Sequence, residues 1–282
     1  MEWPNGARCA VALTFDVDAE SAFVFQNPRK ASCRLADVEE RRFGVRTGLP
    51  RILRLLDRFR LPASFYVPGY TIVHHTAAIR AIRDAGHEMG AHGNVHETLD
   101  IFASEGEEER VLRDQLEIWR AYLDLRPSGY RSPSWELNVW TPALLTKYGF
   151  AYDSSLMGDD IPYTIDTPSG PLVEVPVQWL LDDAPLYRHV RGSSNGIADP
   201  DRVLRMWAQE FDGIHREGRC FVLTMHPWIT GRAGRILALE QLLRHIRNHP
   251  GVWFATVGDI AAWASSSLPR RPGSGDAGQH SR

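Results

Sequence analysis

Short apolar runs alternate with stretches whose apolar positions recur every three or four residues, almost from one end of the chain to the other. The first run, 9–15 (CAVALTF), predicts a strand buried on both faces. In 48–59, Leu49, Ile52, Leu53, Leu55, Leu56 and Phe59 fall on or near one face, which predicts an amphipathic helix. The same periodicities predict further strands at 63–67, 88–91, 129–131, 151–153, 172–175, 220–225 and 252–255. Helices are predicted at 77–85, stopped by Gly86, and at 105–123, 141–148, 200–217, 236–248 and 257–264. The glutamates that open 105–123 suit the positive end of a helix dipole.

About seven β/α alternations in one chain predict a single α/β domain over 1–265, with a parallel, barrel-like sheet of about seven strands. No sequence repeat accompanies the structural one. Three stretches, 19–46, 157–171 and 182–199, lack either period and are expected to be irregular loops. Loops this long inside a compact domain are commonly functional. The Ser/Gly/Pro/Arg-rich end, 266–282, predicts a flexible tail.

Composition narrows the class. At 43% hydrophobic and 24% charged residues the chain is of globular type. A net charge of −3 argues against a nucleic-acid partner, which would call for a basic excess. Cys9, Cys33 and Cys220 are too scattered for a disulfide framework and suggest reduced thiols. No run of eighteen apolar residues predicts a membrane span, and Met1-Glu2-Trp3-Pro4 has no secretory pattern. The expected address is cytoplasmic.

Four polar clusters follow predicted strands. In Phe15-Asp16-Val17-Asp18, residues two apart on an extended segment point to one side, so both carboxylates can face one site. Taken alone, the pair is equally a turn with solvated aspartates. His92-Gly93-Asn94-Val95-His96 places two histidines four apart, either as two surface imidazoles or as converging metal ligands. With a carboxylate from another strand end they would make an open three-ligand site. Nitrogen and oxygen donors suit zinc, and are also compatible with cobalt, nickel or manganese. Tyr130-Arg131-Ser132-Pro133-Ser134-Trp135 offers an arginine that could hold a carboxylate ionised, or could sit in a surface ion pair. Finally, Thr224-Met225-His226-Pro227-Trp228 ends a very apolar strand with a histidine, either an acid near neutral pH or a core histidine bonded to a carbonyl. In β/α barrels the C-terminal strand ends carry the active site, and all four clusters fall there.

In that order, FDVD, HGNVH, YRSPSW and LTMHPW resemble the successive motifs of the polysaccharide deacetylase family, from about Ala10 to Trp263. The stretches 152–163 and 173–183 resemble the branch that holds peptidoglycan-deacetylase-like proteins, allantoinases and cyclic imide hydrolases. The resemblance implies a distorted (β/α) barrel, with Asp16 as general base and Asp18, His92 and His96 holding one divalent metal. It further implies that Arg131 orients Asp16 and that His226 is the general acid. Two departures stand out. Val17 separates aspartates that are adjacent in the commoner motif, and Gly93 replaces a Ser or Thr whose hydroxyl braces the loop.

The chemistry so implied is metal-assisted hydrolysis of a non-peptide carbon–nitrogen bond, with a backbone N–H near Tyr130–Ser132 stabilising the oxyanion. Tyr130, Trp135 and Trp228 are candidate substrate contacts, the tryptophans equally candidates for packing at the barrel mouth. Three functions fit: N-deacetylation of an amino sugar, opening of a small cyclic amide, imide or ureide, and glycan binding by a non-catalytic barrel. Absence of a secretory pattern favours a small substrate, with 19–46 and 182–199 covering the mouth or packing a neighbouring subunit of a homo-oligomer.

Overall fold

The computed structural model describes residues 2–31, 33–189 and 197–267. Strand β1 (Cys9–Asp16) is buried along its whole length. Its odd residues, Cys9 to Phe15, and Val17 just beyond pack outward with the helices, whereas Ala10 and Ala12 face an inner cluster that includes Tyr66, Trp135 and Tyr152. The small alanines leave room for those rings, and the same alternation turns Thr14 and Asp16 inward.

Helices α1 (Ser21–Gln26), α2 (Pro28–Ala31) and α3 (Leu35–Phe43) follow, joined by a π-helical turn at Gly44–Gly48 to α4 (Leu49–Phe59). Next come β2 (Ser64–Val67), α5 (Gly69–His74), α6 (Thr76–Asp84), β3 (Glu88–Ala91) and α7 (Glu105–Leu123). Strand β4 (Gly129–Tyr130), α8 (Thr141–Lys147), β5 (Tyr152–Asp153), β6 (Tyr163–Ile165) and β7 (Leu172–Glu174) form the middle. The chain closes with α9 (Asp183–Tyr187), α10 (Pro200–Glu217), β8 (Cys220–Met225), α11 (Ala233–Arg247), β9 (Val252–Phe254) and α12 (Val257–Ser267).

The sheet runs β6-β7-β5-β4-β3-β2-β1-β8, with β9 beside the N-terminal half of β1. Every pairing is parallel except β6 with β7. A parallel bridge between Asp182 and Thr224 draws the segment after β7 against β8, so the sheet curls into a distorted barrel. The glycines of β4 and β3 face the filling of that barrel: a Cβ on Gly129 would lie 2.0 Å from the Tyr152 ring. Tyr152 Oη lies 3.2 Å from Tyr66 Oη and donates to Glu88 at 2.8 Å, which satisfies the phenols where water cannot reach.

All eight predicted strands are present, and 105–123 and 200–217 are helices with the predicted ends. The second is punctuated in full: Asp199 caps the Asp201 N–H, Pro200 opens the helix, and Gly218 closes it in the left-handed region. Three expectations are corrected. Residues 19–46 are not an irregular loop but α1–α3 and the start of the π-helical turn, 157–171 holds β6, and 182–199 holds α9. Only Val38 and Arg41 are buried on α3, because that helix faces a polar cavity and not the core, so no apolar stripe announces it. Helix α5 was too short to show a period. Residues 266 and 267 continue α12; the rest of the expected tail, 268–282, and 190–196 of the third loop lie outside the described residues.

Candidate active site

Asp16 ends β1, His92 follows β3, Arg131 follows β4, Asp183 opens the short helix beyond β7, and His226 follows β8. All stand at the C-terminal end of the sheet around a cavity of about 340 Å³. Asp16, Asp18, His92, His96, Trp135, Asp182, His226 and Trp228 line it, with Phe23 and Arg41 from α1 and α3 and Arg188 beyond α9.

Arg131 is fully buried and donates from Nη1 to Asp16 Oδ1 at 3.0 Å. Its Nε and Nη2 hold Ser154, Nη1 also meets Thr14 Oγ1 at 2.7 Å, and its plane lies 4.2 Å from the Tyr66 ring centre. Burial alone would weaken its charge, but Asp16 outweighs burial and raises the guanidinium pKa. One oxygen of Asp16 is thereby fixed, leaving Oδ2 directed at the cavity side, 3.8 Å from His92 Nε2. Removing either partner of such a buried pair costs about 3–5 kcal/mol.

Asp18 faces three imidazoles: His92 Nε2 at 3.4 Å from Oδ1, and His96 Nε2 and His226 Nε2 each at 3.5 Å from Oδ2. Burial would raise its pKa, but His96, His226 and His92 together outweigh that and hold the carboxyl below its ordinary range. His92 Nδ1 sits 2.7 Å from the Arg131 carbonyl, which fixes Nε2 as the free nitrogen, and burial keeps the ring's pKa low and the ring neutral. Ligand atoms of Asp18, His92 and His96 lie within 4.8 Å of one another. Asp18 Oδ1 is buried with no hydrogen-bond partner, an uncompensated acceptor that a cation would satisfy. Metal–ligand bonds of about 2.0–2.2 Å put tetrahedral donors roughly 3.3–3.6 Å apart, matching the observed spacings. The donor set therefore fits a divalent ion.

The loop that carries both histidines needs Gly93: its φ is +66°, and a Cβ would meet Pro133 Cγ at 2.8 Å. The bracing that a hydroxyl would have given comes from Glu97, whose carboxylate accepts Asn94 N at 2.8 Å and Val95 N at 2.5 Å. Gln115 on α7 holds the Gly93 carbonyl. His96, Ser134 and Trp135 adopt left-handed φ values of 58°, 60° and 57°, strain concentrated at the cavity.

His226 is held from behind. Asp183, with no exposed surface, accepts its Nδ1–H at 2.7 Å, its backbone N–H at 2.9 Å and the Thr230 hydroxyl at 2.5 Å. Burial disfavours the imidazolium, but Asp183, Asp18 and Asp182 prevail and raise its pKa well above the ordinary value. That direction favours the protonated ring, whose Nε2 lies 3.5 Å from Asp18 Oδ2 at the cavity. Beside it, burial pushes Asp182 up to about 7.

Eight of the nine predicted site residues surround this centre, seven at the cavity wall and Arg131 directly behind Asp16. Tyr130 does not, and its expected substrate contact is corrected. Inward and outward positions alternate along β4, so its ring turns into a separate apolar cluster with Leu112, Leu144 and Phe150. The expected oxyanion donors near it are also corrected, since the Arg131 and Ser132 N–H groups are bonded to Ala91 O and Ser155 Oγ. Sequence reasoning missed Asp183, Asp182, Glu97, Arg41 and Arg188. Paired acids after an apolar run at Leu180-Leu181-Asp182-Asp183 were the available signal for the first two.

The model of the polysaccharide deacetylase family matches residues 5–152. A peptidoglycan deacetylase of Helicobacter pylori is 34% identical over 289 residues, 93% of this chain and 98% of that protein. A peptidoglycan deacetylase-like protein of Gibberella zeae is 25% identical, covering 90% of this chain and 86% of its own. Among solved structures, a Mycobacterium smegmatis protein of polysaccharide deacetylase type superposes with a TM-score of 0.92 at 39% identity, over 96% of both chains. An allantoinase (Puue) superposes with a TM-score of 0.83 at 23% identity, over 96% and 94%, a likeness of fold.

Proposed function

The chain belongs to the polysaccharide deacetylase family and is a hydrolase of carbon–nitrogen bonds, and from that premise we propose that it is metal-dependent and acts on a small cyclic amide, imide or ureide. The observation that carries the choice is the cavity. Its volume of about 340 Å³ suits a small molecule, and residues of α1, α3 and the segment around α9 form part of its wall. A small ring gains from exclusion of water.

Asp18, His92 and His96 would hold the divalent ion, zinc or else cobalt, nickel or manganese, which when bound supplies Lewis acidity toward a carbonyl and lowers the pKa of water. Asp16 takes the proton of the attacking water on Oδ2 while Arg131 holds Oδ1 and the carboxylate's plane. His226, cationic and aligned by Asp183, donates its Nε2 proton to the departing nitrogen. Trp135, stacked on Trp179 with centroids 4.5 Å apart, and Trp228 offer flat walls to a flat ring.

Acetate release from an amino sugar is the second reading, favoured by the name of the Helicobacter pylori relative. A non-catalytic barrel has no need of a base, its arginine and a cationic acid around one point.

Ring opening of hydantoin, succinimide and allantoin, assayed beside acetate release from chito-oligosaccharides with and without added zinc or cobalt, separates the two. Ring opening stimulated by metal and lost in Asp16→Asn, with metal content retained, is expected. Acetate release alone would transfer the enzyme to the second reading.

A further inference from the structure

We propose that Arg41 and Arg188 form an anion subsite in the cavity, so that the preferred substrate is an amide that also carries a carboxylate. The inference rests on the proposed amide hydrolysis for its setting, and deepens it.

Arg41 is nine-tenths buried, yet its guanidinium has no close acid. The nearest carboxylate oxygen, on half-exposed Glu40, is 3.9 Å away. Its Nη1 donates to the Asp37 carbonyl at 2.7 Å, and among the described residues its other donors have no hydrogen-bond partner. The plane is flanked by two rings, Phe23 with its centre at 4.8 Å and Trp228 at 5.2 Å from the guanidinium carbon. Rings on its flanks leave the N–H edge as the direction open to a partner.

A buried cation whose one ion pair is long and half-exposed is costly, and a second cation nearby makes it more so. Arg188 lines the same cavity and, among the described residues, makes no ion pair within 4.0 Å. Burial first, and the approach of Arg188 second, lower the pKa of Arg41. Arg41 buried at the cavity wall, with exposed Arg188 on the same wall, makes that side of the cavity attractive to an anion.

The acids already present are engaged elsewhere. Asp16 is paired with Arg131 at 3.0 Å, Asp18 faces three imidazoles, and Asp182 caps α9 through the Ala184 N–H at 2.9 Å. Asp18 and Glu40 act on the arginines only at a distance, so a substrate carboxylate would be the group that meets their N–H edges. A flat carboxylate meeting the edge of a guanidinium makes two parallel N–H···O bonds. Glu40, half-exposed and 3.9 Å from Arg41, would repel a dianion more than a single charge, which favours a carboxylate over a phosphate.

Two matched substrate pairs and one binding pair test this. Hydantoin-5-acetate is compared with its methyl ester, and N-acetylmuramic acid with N-acetylglucosamine. At least a tenfold preference in kcat/KM for the carboxylate member is expected in whichever pair is turned over. The ratio should fall close to one in Arg41→Met and in Arg188→Met, and be kept in part by Arg41→Lys. Because Arg188 is exposed, its variant folds even where loss of Arg41 disturbs packing, and thermal unfolding checks both. In Asp16→Asn, calorimetry compares glutarate with its monoamide: a bound metal can take one carboxylate of either, so the difference reports the second charge alone.

A preference for glutarate that disappears in the arginine variants supports the subsite even if no amide is hydrolysed, an outcome that would count against the hydrolase reading only. Equal turnover within both pairs, or equal affinity for the two acids, overturns the subsite and leaves the hydrolase reading in place.

Discussion

Asp18, His92 and His96 at the barrel mouth, and Asp212, His245 and His249 on the surface between α10 and α11, each bring one carboxylate and two imidazoles within 4.8 Å. The donors are the same and their states are opposite. On the surface, Asp212 Oδ1 already accepts from His245 Nε2 at 2.7 Å and stands 3.4 Å from His249 Nε2, with half its side chain in solvent. At the mouth, each imidazole nitrogen stands 3.4–3.5 Å from Asp18, too far for a good bond, and Asp18 Oδ1 and His96 Nδ1 have no hydrogen-bond partner. A surface ion must displace bonds and water that already satisfy the donors. An ion at the mouth would satisfy a buried Asp18 oxygen that has no hydrogen-bond partner. Three donors of the right type do not make a metal site; unsatisfied, pre-oriented donors do.

Metal content tests that contrast most sharply. In protein purified without chelator and then desalted, His92→Ala should lose nearly all of its divalent metal and about a thousandfold or more of its activity, from loss of Lewis acid catalysis. His249→Ala should keep both. Equal metal loss in the two variants would break the comparison.

A smaller effect is expected behind the proposed general acid. Asp183→Asn leaves the shape but weakens the anchor of His226, and orienting partners of this kind are typically worth about 10–100-fold. The corresponding surface change, Asp212→Asn, should leave kcat/KM within about twofold. Steady-state kinetics on both, with metal content matched, would blunt the contrast if Asp183→Asn stayed near wild type.

The smallest effect concerns acid stability, in the segment over the site. Glu20, on a buried turn, is held by His75 Nε2 at 2.8 Å and Arg42 Nε at 2.9 Å. Burial opposes its charge, but these two partners win and hold its pKa down to about 2, from 4.5. A depressed folded-state pKa gives stability that is present above about 4.5 and is lost as pH falls toward 2. The stability gap between wild type and Glu20→Gln should therefore be full at pH 6 and shrink steadily below pH 4.5, as measured by denaturant unfolding at a series of pH values. Glu39→Gln, at a surface pair with Arg42 and Arg46, should show little gap at any pH. A pH-independent gap for Glu20→Gln would mean that packing, not charge, is what the substitution removes.

Periodicity alone determined the strands, the long helices and their alternation, because a strand buried on both faces and a helix against a core leave patterns of two and of three to four residues. The polar clusters at strand ends were legible for a related reason. Side-chain spacing along one strand or one loop is local geometry, so Asp16 with Asp18 and His92 with His96 could be grouped before any fold was known. What joined Asp183 to His226, 43 positions apart, was closure of the sheet through Asp182 and Thr224, which no local spacing encodes. Helices α1–α3 escaped for the opposite reason to the core helices. They are short and bury few residues, Ser21 and Phe23 on α1 and Val38 and Arg41 on α3, and a hidden arginine in a polar stretch looks like any surface charge. Tyr130 was misplaced because adjacency in sequence to Arg131 says nothing of side, and a strand sends neighbours to opposite faces. Local pattern determined which segments exist and which polar groups travel together; only the tertiary structure decided which of those groups lose their water, and with it their power to bind and to move protons.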